Sequence, residues 1–114
     1  MILDIAKDVL KIESDSILKL SEHIGASFET LVNDICQSSG RVIISGIGKS
    51  GLIAKKIVAT LISTGTNSMF LHPVEALHGD LGMVSMNDVF IAISNSGETT
   101  ELIQLLPVIK QMGC

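Results

Sequence analysis

The chain has 114 residues, of which 8 are basic and 12 acidic, so its formal net charge is −4. This length fits one small domain. With 46% hydrophobic and 18% charged residues, the chain is too apolar to stay disordered. Its acidic balance and its lack of any Lys or Arg run provide no surface for phosphate backbones, so we expect no nucleic-acid partner.

The cysteine content and the lengths of the apolar runs indicate the cellular compartment of the protein. Cys36 and Cys114 are too few for a disulfide framework and are typical of a reducing environment. Acidic residues stand near the N-terminus, at Asp4 and Asp8, where a signal peptide needs basic and then apolar residues. The longest apolar runs are far shorter than the roughly 18 residues of a membrane span. We therefore expect a cytoplasmic protein with no membrane partner.

The first 40 residues predict helices. Residues 2–22 carry apolar side chains at helical spacing, in a stripe wider than one core contact needs. After Gly25, the helical period resumes from Phe28 to Ile35, and a second helix ends near Gly40. The wide stripe of the first helix favours packing on another chain.

Beyond residue 40, short apolar runs alternate with helical periods. The runs at 41–45, 68–71 and 89–93 lack polar alternation and predict strands, the first and last covered on both faces. Helical spacing follows at 50–65 and 102–113, with a single helical turn near 74–77.

This alternation predicts the α/β class, with a parallel sheet in a three-layer α-β-α sandwich. Residues 1–40 form the N-terminal helices, and residues 41–114 form the βαβ core. Three strands are fewer than the roughly five or six of an average sheet. We therefore expect residues 1–114 to be part of a larger domain.

A glycine-rich segment, Ser-Gly-Ile-Gly-Lys-Ser-Gly at 45–51, joins the first predicted strand to a helix. Glycines let the backbone approach a ligand closely, and the amides of a helix N-terminus favour an anion. The glycine spacing matches a dinucleotide fingerprint, but no acid stands about 20 residues later, near Asn67. A Walker loop needs glycine where Ile43 stands. The segment therefore predicts a phosphate site rather than a nucleotide site.

A second segment, Ser-Asn-Ser-Gly-Glu-Thr-Thr-Glu at 94–101, again leads from a strand into a helix. Loops after parallel strands meet at one edge of the sheet, so both segments are expected to border one crevice. The alternative is a capping box, which pairs Ser96 with Thr99 or Glu98 with Glu101.

A third segment, at 72–82, contains two histidines and two carboxylates. Titratable groups at that edge are candidates for proton transfer. His72 and His78 do not have the spacing of a zinc finger or a metalloprotease helix. The alternative is that both are surface histidines without a role.

Together with residues 63–66, these three segments closely resemble the sugar isomerase (SIS) domain of arabinose-5-phosphate isomerases of the KpsF/GutQ type. The resemblance runs over essentially the whole chain and implies a flavodoxin-like SIS fold. It implies interconversion of D-ribulose 5-phosphate and D-arabinose 5-phosphate through an enediol, supplying Kdo for lipopolysaccharide or capsule, without a required cofactor. Family members form dimers or tetramers and often carry two CBS domains, which this sequence lacks.

The resemblance also implies roles for individual residues. Glu101 acts as the base, His78 assists proton transfer or orients the sugar, and Lys49 stabilises the enediolate. His72 matches a position where zinc binds relatives as an inhibitor. The implied substrate- and phosphate-binding residues are Ser45, Gly48, Ser50, Gly65, Thr66, His72, His78, Ser94, Asn95, Ser96 and Thr99.

Plainer interpretations of these residues stay open. Lys49 serves equally to balance phosphate charge, and Glu101 is also a first-turn acid that the helix dipole favours. The sequence does not decide whether Glu101 or His78 is the base. The alternatives for the whole chain are a SIS module that senses a sugar phosphate without turnover and an inactive fragment of the isomerase. A sensor has no need of Lys49, His78 and Glu101 at one edge.

Overall fold

A computed structural model describes residues 1–114, which divide into two compact units, Met1–Asn33 and Asp34–Cys114. No helix in either unit combines the length and the apolar character that crossing a membrane requires.

The first unit is helical, as predicted. Helix α1 spans Ile2–Leu20, a 3-10 turn follows at Ser21–His23, and helix α2 spans Ala26–Gln37 and so continues into the second unit. Neither helix buries a residue. The exposed apolar side chains of α1 are Ile2, Leu3, Ile5, Val9, Leu10, Ile12, Ile17, Leu18 and Leu20.

The second unit is built on a sheet of three parallel strands, which confirms the predicted α/β class. Strand β1 spans Val42–Ser45, β2 spans Ser68–Phe70 and β3 spans Val89–Ala92, in the order β2-β1-β3. All four residues of the central strand β1 are buried. Its uninterrupted apolar run follows from that position, because both of its faces are covered.

Helices cover both faces of the sheet, so the three-layer arrangement is also confirmed. Helix α3 spans Gly48–Ser63, α4 spans Pro73–Leu77 and α5 spans Thr100–Gln111, and a 3-10 turn lies at Asp80–Met83. Alternate residues of β1 point to opposite faces of the sheet. One face packs on α3 through Val42, Ile44, Ala54 and Val58, and the other packs on α4 and α5 through Ile43, Leu71, Ala76, Leu105 and Ile109.

An ion pair ties together the amino ends of β1 and β3, which we call the amino edge. The buried Asp88 carboxylate accepts hydrogen bonds from the Arg41 amide at 2.7 Å and the Ser85 amide at 2.8 Å. It also accepts from the Arg41 guanidinium at 3.3 Å and the Ser85 hydroxyl at 3.1 Å. Burial raises the pKa of Asp88, but these hydrogen bonds outweigh burial and leave the pKa below its ordinary value of 3.8.

Candidate functional site at the carboxyl edge of the sheet

The carboxyl ends of the three strands meet at one edge, which we call the carboxyl edge. In the register of the sheet, Ser45 lies beside Ala92, and Ile44 lies beside Phe70. Pairing continues one residue further, because the Leu71 amide donates to the Ile44 carbonyl at 3.0 Å and the Ile93 amide donates to the Ser45 carbonyl at 2.9 Å. The three predicted segments therefore all begin at this edge, where no enclosed cavity forms between them.

The glycine-rich segment forms a tight turn into α3. A Cβ atom on Gly51 would stand 2.7 Å from the Gly46 carbonyl oxygen, so only glycine allows this approach of the turn to the helix. Helix α3 follows Ile47 and has no side-chain hydrogen bond at its N-terminus. Its first amides are therefore free to bind an anion. Lys49 is exposed and Ser50 is half-buried in this first turn.

The hydroxyl groups of the serine-rich segment are hydrogen-bonded within the segment itself. The Ser94 and Thr99 hydroxyl oxygens lie 2.7 Å apart. The Gly97 amide donates to Ser94 Oγ at 3.0 Å, and the Glu98 amide donates to Ser96 Oγ at 3.0 Å. These contacts fix three hydroxyls in the turn that precedes α5.

The capping-box alternative is wrong. Thr99 is the residue that precedes helix α5, and no side chain caps the helix there. The Ser94 and Ser96 hydroxyls instead bond within the preceding turn, so they are not available to the helix amides. The first amides of α5 are left free, beside the half-buried Glu101 in the first turn.

The third segment places its two histidines at opposite ends of the short helix α4. His72 precedes the helix and caps it, because the Val74 amide donates to His72 Nδ1 at 3.2 Å. His78 follows the helix, is exposed, and makes no side-chain hydrogen bond. The His72 side chain therefore has a structural role as a helix cap, whereas no hydrogen bond fixes the side chain of His78.

The residues of this edge do not fit a resident zinc ion. A bound zinc ion takes at least three protein ligands. Nowhere in the chain do three His, Cys, Asp or Glu side chains gather to hold a metal. One nitrogen of His72 is moreover occupied by the Val74 amide.

Two side chains near His72 were not found by sequence reasoning. The rings of Phe70 and His72 are 6.4 Å apart at an interplanar angle of 78°, and Lys55 Nζ lies 5.0 Å from the Phe70 ring centre. The Phe70–His72 contact could have been predicted from the alternation of side chains along an extended segment, which places residues 70 and 72 on the same side of the chain.

The remaining predicted residues are dispersed. Ser45 is fully buried, and its hydroxyl is a buried side-chain group without a hydrogen-bond partner. Gly48 and Asn95 are exposed in the two loops. Gly65 and Thr66 lie between α3 and β2, at the amino edge, because Asn67 bonds to Val42 at the start of β1. Within one chain, the structure does not bring Gly65 and Thr66 together with the others.

The fold and this edge define a class: an α/β protein whose parallel sheet carries an open polar site where helices begin. The SIS domain matches residues 35–114, which is more than half of the chain, and the chain belongs to the SIS domain family.

The chain is similar to proteins of known name. It is 48% identical over 106 residues to the arabinose 5-phosphate isomerase KdsD of Escherichia coli K12, covering 93% of this chain and 32% of that protein. It is 47% identical over 108 residues to the KdsD protein of Pseudomonas aeruginosa, covering 95% of this chain and 33% of that protein. The chain thus spans about a third of the length of these curated relatives, whose name confirms the predicted resemblance.

Solved structures share the fold. An Escherichia coli CFT073 protein in complex with arabinose 5-phosphate superimposes with a TM-score of 0.79 at 43% identity, covering 96% of this chain and 60% of that one. A Listeria monocytogenes protein, provisionally described as a sugar-phosphate isomerase, superimposes with a TM-score of 0.86 at 35% identity. It covers 98% of this chain and 59% of that one. These structures confirm the predicted SIS fold.

Proposed function

We propose that this chain supplies part of the active site of an aldose–ketose isomerase that interconverts D-ribulose 5-phosphate and D-arabinose 5-phosphate. One observation carries the proposal. Helices α3 and α5 begin at the same sheet edge, both without a side-chain cap, beside a fixed group of hydroxyls. The names of the relatives and the arabinose 5-phosphate complex of the Escherichia coli CFT073 protein support the choice of substrate.

The serine-rich segment is the proposed phosphate site. Backbone amides hold the Ser94 and Ser96 hydroxyls, and the Ser94 hydroxyl holds that of Thr99. The free amides of α5 add the positive end of the helix dipole. A phosphate dianion takes several donors at once, which such a turn supplies without rearrangement. Gly48, Ser50 and Asn95 are proposed to line the same site from the two loops.

The isomerisation moves a proton between C1 and C2 of the sugar through an enediol. We assign removal of that proton to Glu101, whose half-buried position in the first turn of α5 lies next to the proposed phosphate site. His78 transfers protons between the sugar oxygens or orients them. Lys49, exposed in the first turn of α3, stabilises the negative charge that develops on the enediolate oxygen.

Cofactor and metal use follow from the same chemistry. The substrate is oxidised at one carbon and reduced at its neighbour, so the reaction needs no external electron acceptor, and we propose none. Zinc is proposed only as an inhibitor that takes His72 as its single ligand from this chain and its other ligands from elsewhere. To bind His72, the ion has to displace the Val74 amide from Nδ1 or the hydrogen from Nε2.

The wider setting is proposed as well. The product supplies Kdo synthesis for lipopolysaccharide or capsule. The exposed apolar side chains of α1 support assembly into a dimer or tetramer. Both cysteines are free thiols, which supports a reducing compartment and hence the cytoplasm.

The test is a chimera in which this chain replaces the matching 106 residues of the Escherichia coli K12 relative. We expect the chimera to convert D-ribulose 5-phosphate. Glu101→Gln should lower turnover at least about 100-fold, because the base is lost. Binding of arabinose 5-phosphate should change less than about tenfold, or 1.4 kcal/mol.

The matched control is Glu29→Gln, because Glu29 also lies in the first turn of a helix. If first-turn charge alone mattered, both variants would behave alike. Binding without turnover in the parent chimera would identify the sensor instead, and neither binding nor turnover would refute both functions.

A further inference from the structure

One contact of His72 determines which ring nitrogen carries its proton. The Val74 N–H donates to His72 Nδ1, and an N–H can bond only to a lone pair. Nδ1 is therefore unprotonated, and the hydrogen of the ring lies on Nε2. This assignment follows from the hydrogen bond, since hydrogens are placed by such partners.

The protonated nitrogen, Nε2, is left open. It makes no hydrogen bond within the protein, whereas Nδ1 is used for the cap. Ser45 Oγ is the only buried side-chain nitrogen or oxygen atom without a hydrogen-bond partner, so the unpartnered His72 Nε2 is in contact with solvent. It is a free donor at the carboxyl edge.

A second contact restricts the plane of the ring. The Phe70 ring meets the His72 ring edge-on, at 6.4 Å and 78°, which is within the range of favourable aromatic pairs. The Phe70 backbone pairs with Ile44 of the central strand, and its side chain packs on the core cluster that contains Ile44 and Ala54. Lys55 Nζ lies 5.0 Å from the Phe70 ring centre, at the distance of a cation–π contact.

We propose that Phe70 is a positioning residue, which with the Val74 amide holds the His72 ring so that Nε2–H donates to an oxygen of the sugar phosphate. The inference rests on the proposed function for the identity of that ligand. A half-turn of the ring would exchange Nδ1 for a carbon atom and break the cap, and the Phe70 contact opposes smaller rotations. Lys55 supports Phe70 and acts one step further away.

His23 provides an internal contrast. Its Nδ1 lies 3.4 Å from the Lys19 carbonyl oxygen, which can only accept, so any bond there needs the hydrogen on Nδ1. Its surroundings are exposed, and no aromatic ring contacts it. His23 should therefore show averaged ring signals where His72 shows fixed ones.

The first measurement needs no ligand. Long-range ¹H–¹⁵N spectra of this chain at about pH 8, where free imidazole is neutral, report which nitrogen is protonated. We expect the hydrogen of His72 on Nε2, and ring-current shifts of its carbon-bound hydrogens that Phe70→Leu removes and Phe70→Tyr retains. A hydrogen mainly on Nδ1, or His72 signals unchanged by Phe70→Leu, would overturn the inference.

The second measurement is a double-mutant cycle on arabinose 5-phosphate binding in the chimera. His72→Asn keeps an acceptor for the helix cap but removes the Nε2 donor. We expect His72→Asn and Phe70→Leu each to weaken binding about tenfold, and the double variant to be no weaker than His72→Asn alone. Additive losses would show that Phe70 acts independently of His72.

Two variants of the exposed residue Lys55 provide the same test if Phe70→Leu folds poorly. Lys55→Met should weaken binding about twofold and Lys55→Arg should restore it, because arginine also makes cation–π contacts. Equal binding by Lys55→Met and the parent, with unshifted His72 signals, would remove Lys55 from the proposal. If the parent chimera fails to bind arabinose 5-phosphate, the proposed function fails, while the ligand-free spectra still decide whether the His72 ring is held.

Discussion

The two edges of the sheet differ in how far their polar groups are hydrogen-bonded within the protein. At the amino edge, the buried Asp88 carboxylate receives four hydrogen bonds from Arg41 and Ser85. At the carboxyl edge, α3 and α5 begin without caps, Lys49 and His78 are exposed, and the Ser45 hydroxyl is buried without a partner. Buried polar groups are normally paired, and Ser45 Oγ is the one buried side-chain polar atom of the chain that is not. The hydrogen bonds of the amino edge serve the fold, whereas the carboxyl edge keeps the uncapped helix starts at which we propose that the sugar phosphate binds.

The largest expected effect on stability comes from breaking the amino edge. Asp88→Ala leaves the buried amides of Arg41 and Ser85 without an acceptor and removes the partner of a guanidinium. We expect the free energy of unfolding to fall by about 3 kcal/mol or more, measured by urea denaturation of this chain. The control is Asp15→Ala, because Asp15 pairs with Lys11 on the exposed face of α1. Exposed pairs of this kind contribute little, so equal losses in the two variants would contradict the comparison.

The pH dependence of stability provides a second readout of the same carboxylate. Because the pKa of Asp88 is lowered in the folded state, its stabilising contribution is complete above the ordinary pKa of 3.8 that it has in the unfolded chain. The contribution is lost as the pH falls from there through the folded pKa. Asp88→Asn should therefore lose less stability than the parent as the pH falls below about 4. Parallel curves for the two proteins would show that Asp88 is not the group that titrates.

The carboxyl edge should respond in the opposite way. Ser94→Ala removes a hydroxyl that bonds Thr99 and the Gly97 amide in a partly exposed turn. We expect a loss of stability below about 1 kcal/mol, but about tenfold weaker binding of arabinose 5-phosphate in the chimera. Calorimetric titration and urea denaturation of the same sample measure both quantities. A large loss of stability with unchanged binding would mean that this turn is structural.

The regular elements were predictable from the sequence, and the long-range contacts were not. The run at residues 42–44 is apolar without alternation because β1 is covered on both faces, and its short length and β-branched residues identify it as a strand. The Arg41–Asp88 pair joins residues 47 positions apart, and no local pattern encodes such a partner. The position of Gly65 and Thr66 at the amino edge likewise follows from the direction of β2 rather than from residue type.

The capping box shows a further limit of sequence reasoning. The spacing of Ser96 and Thr99 is the one such a box requires, but the hydroxyls of the segment bond to nearby amides of their own turn. A helix cap and a turn can use the same hydroxyls, so the spacing alone does not decide between them. The structure therefore removes the capping-box alternative, and the phosphate site is the interpretation that we propose.

The smallest effect is expected for Ser45→Ala, which tests whether the unpaired Ser45 hydroxyl lowers the stability of the fold while it contributes to binding. The Ser45 hydroxyl is fully buried and has no partner, although its backbone carbonyl is bonded to Ile93. An unpaired buried hydroxyl costs free energy that a methyl group does not, so we expect urea denaturation to show a gain of up to about 1 kcal/mol. If Ser45 also serves the substrate, as the resemblance implies, the same variant weakens arabinose 5-phosphate binding, and stability and affinity move in opposite directions. A loss of stability would instead reveal a partner for the hydroxyl, and the contrast between the two edges would then rest on the uncapped helices alone.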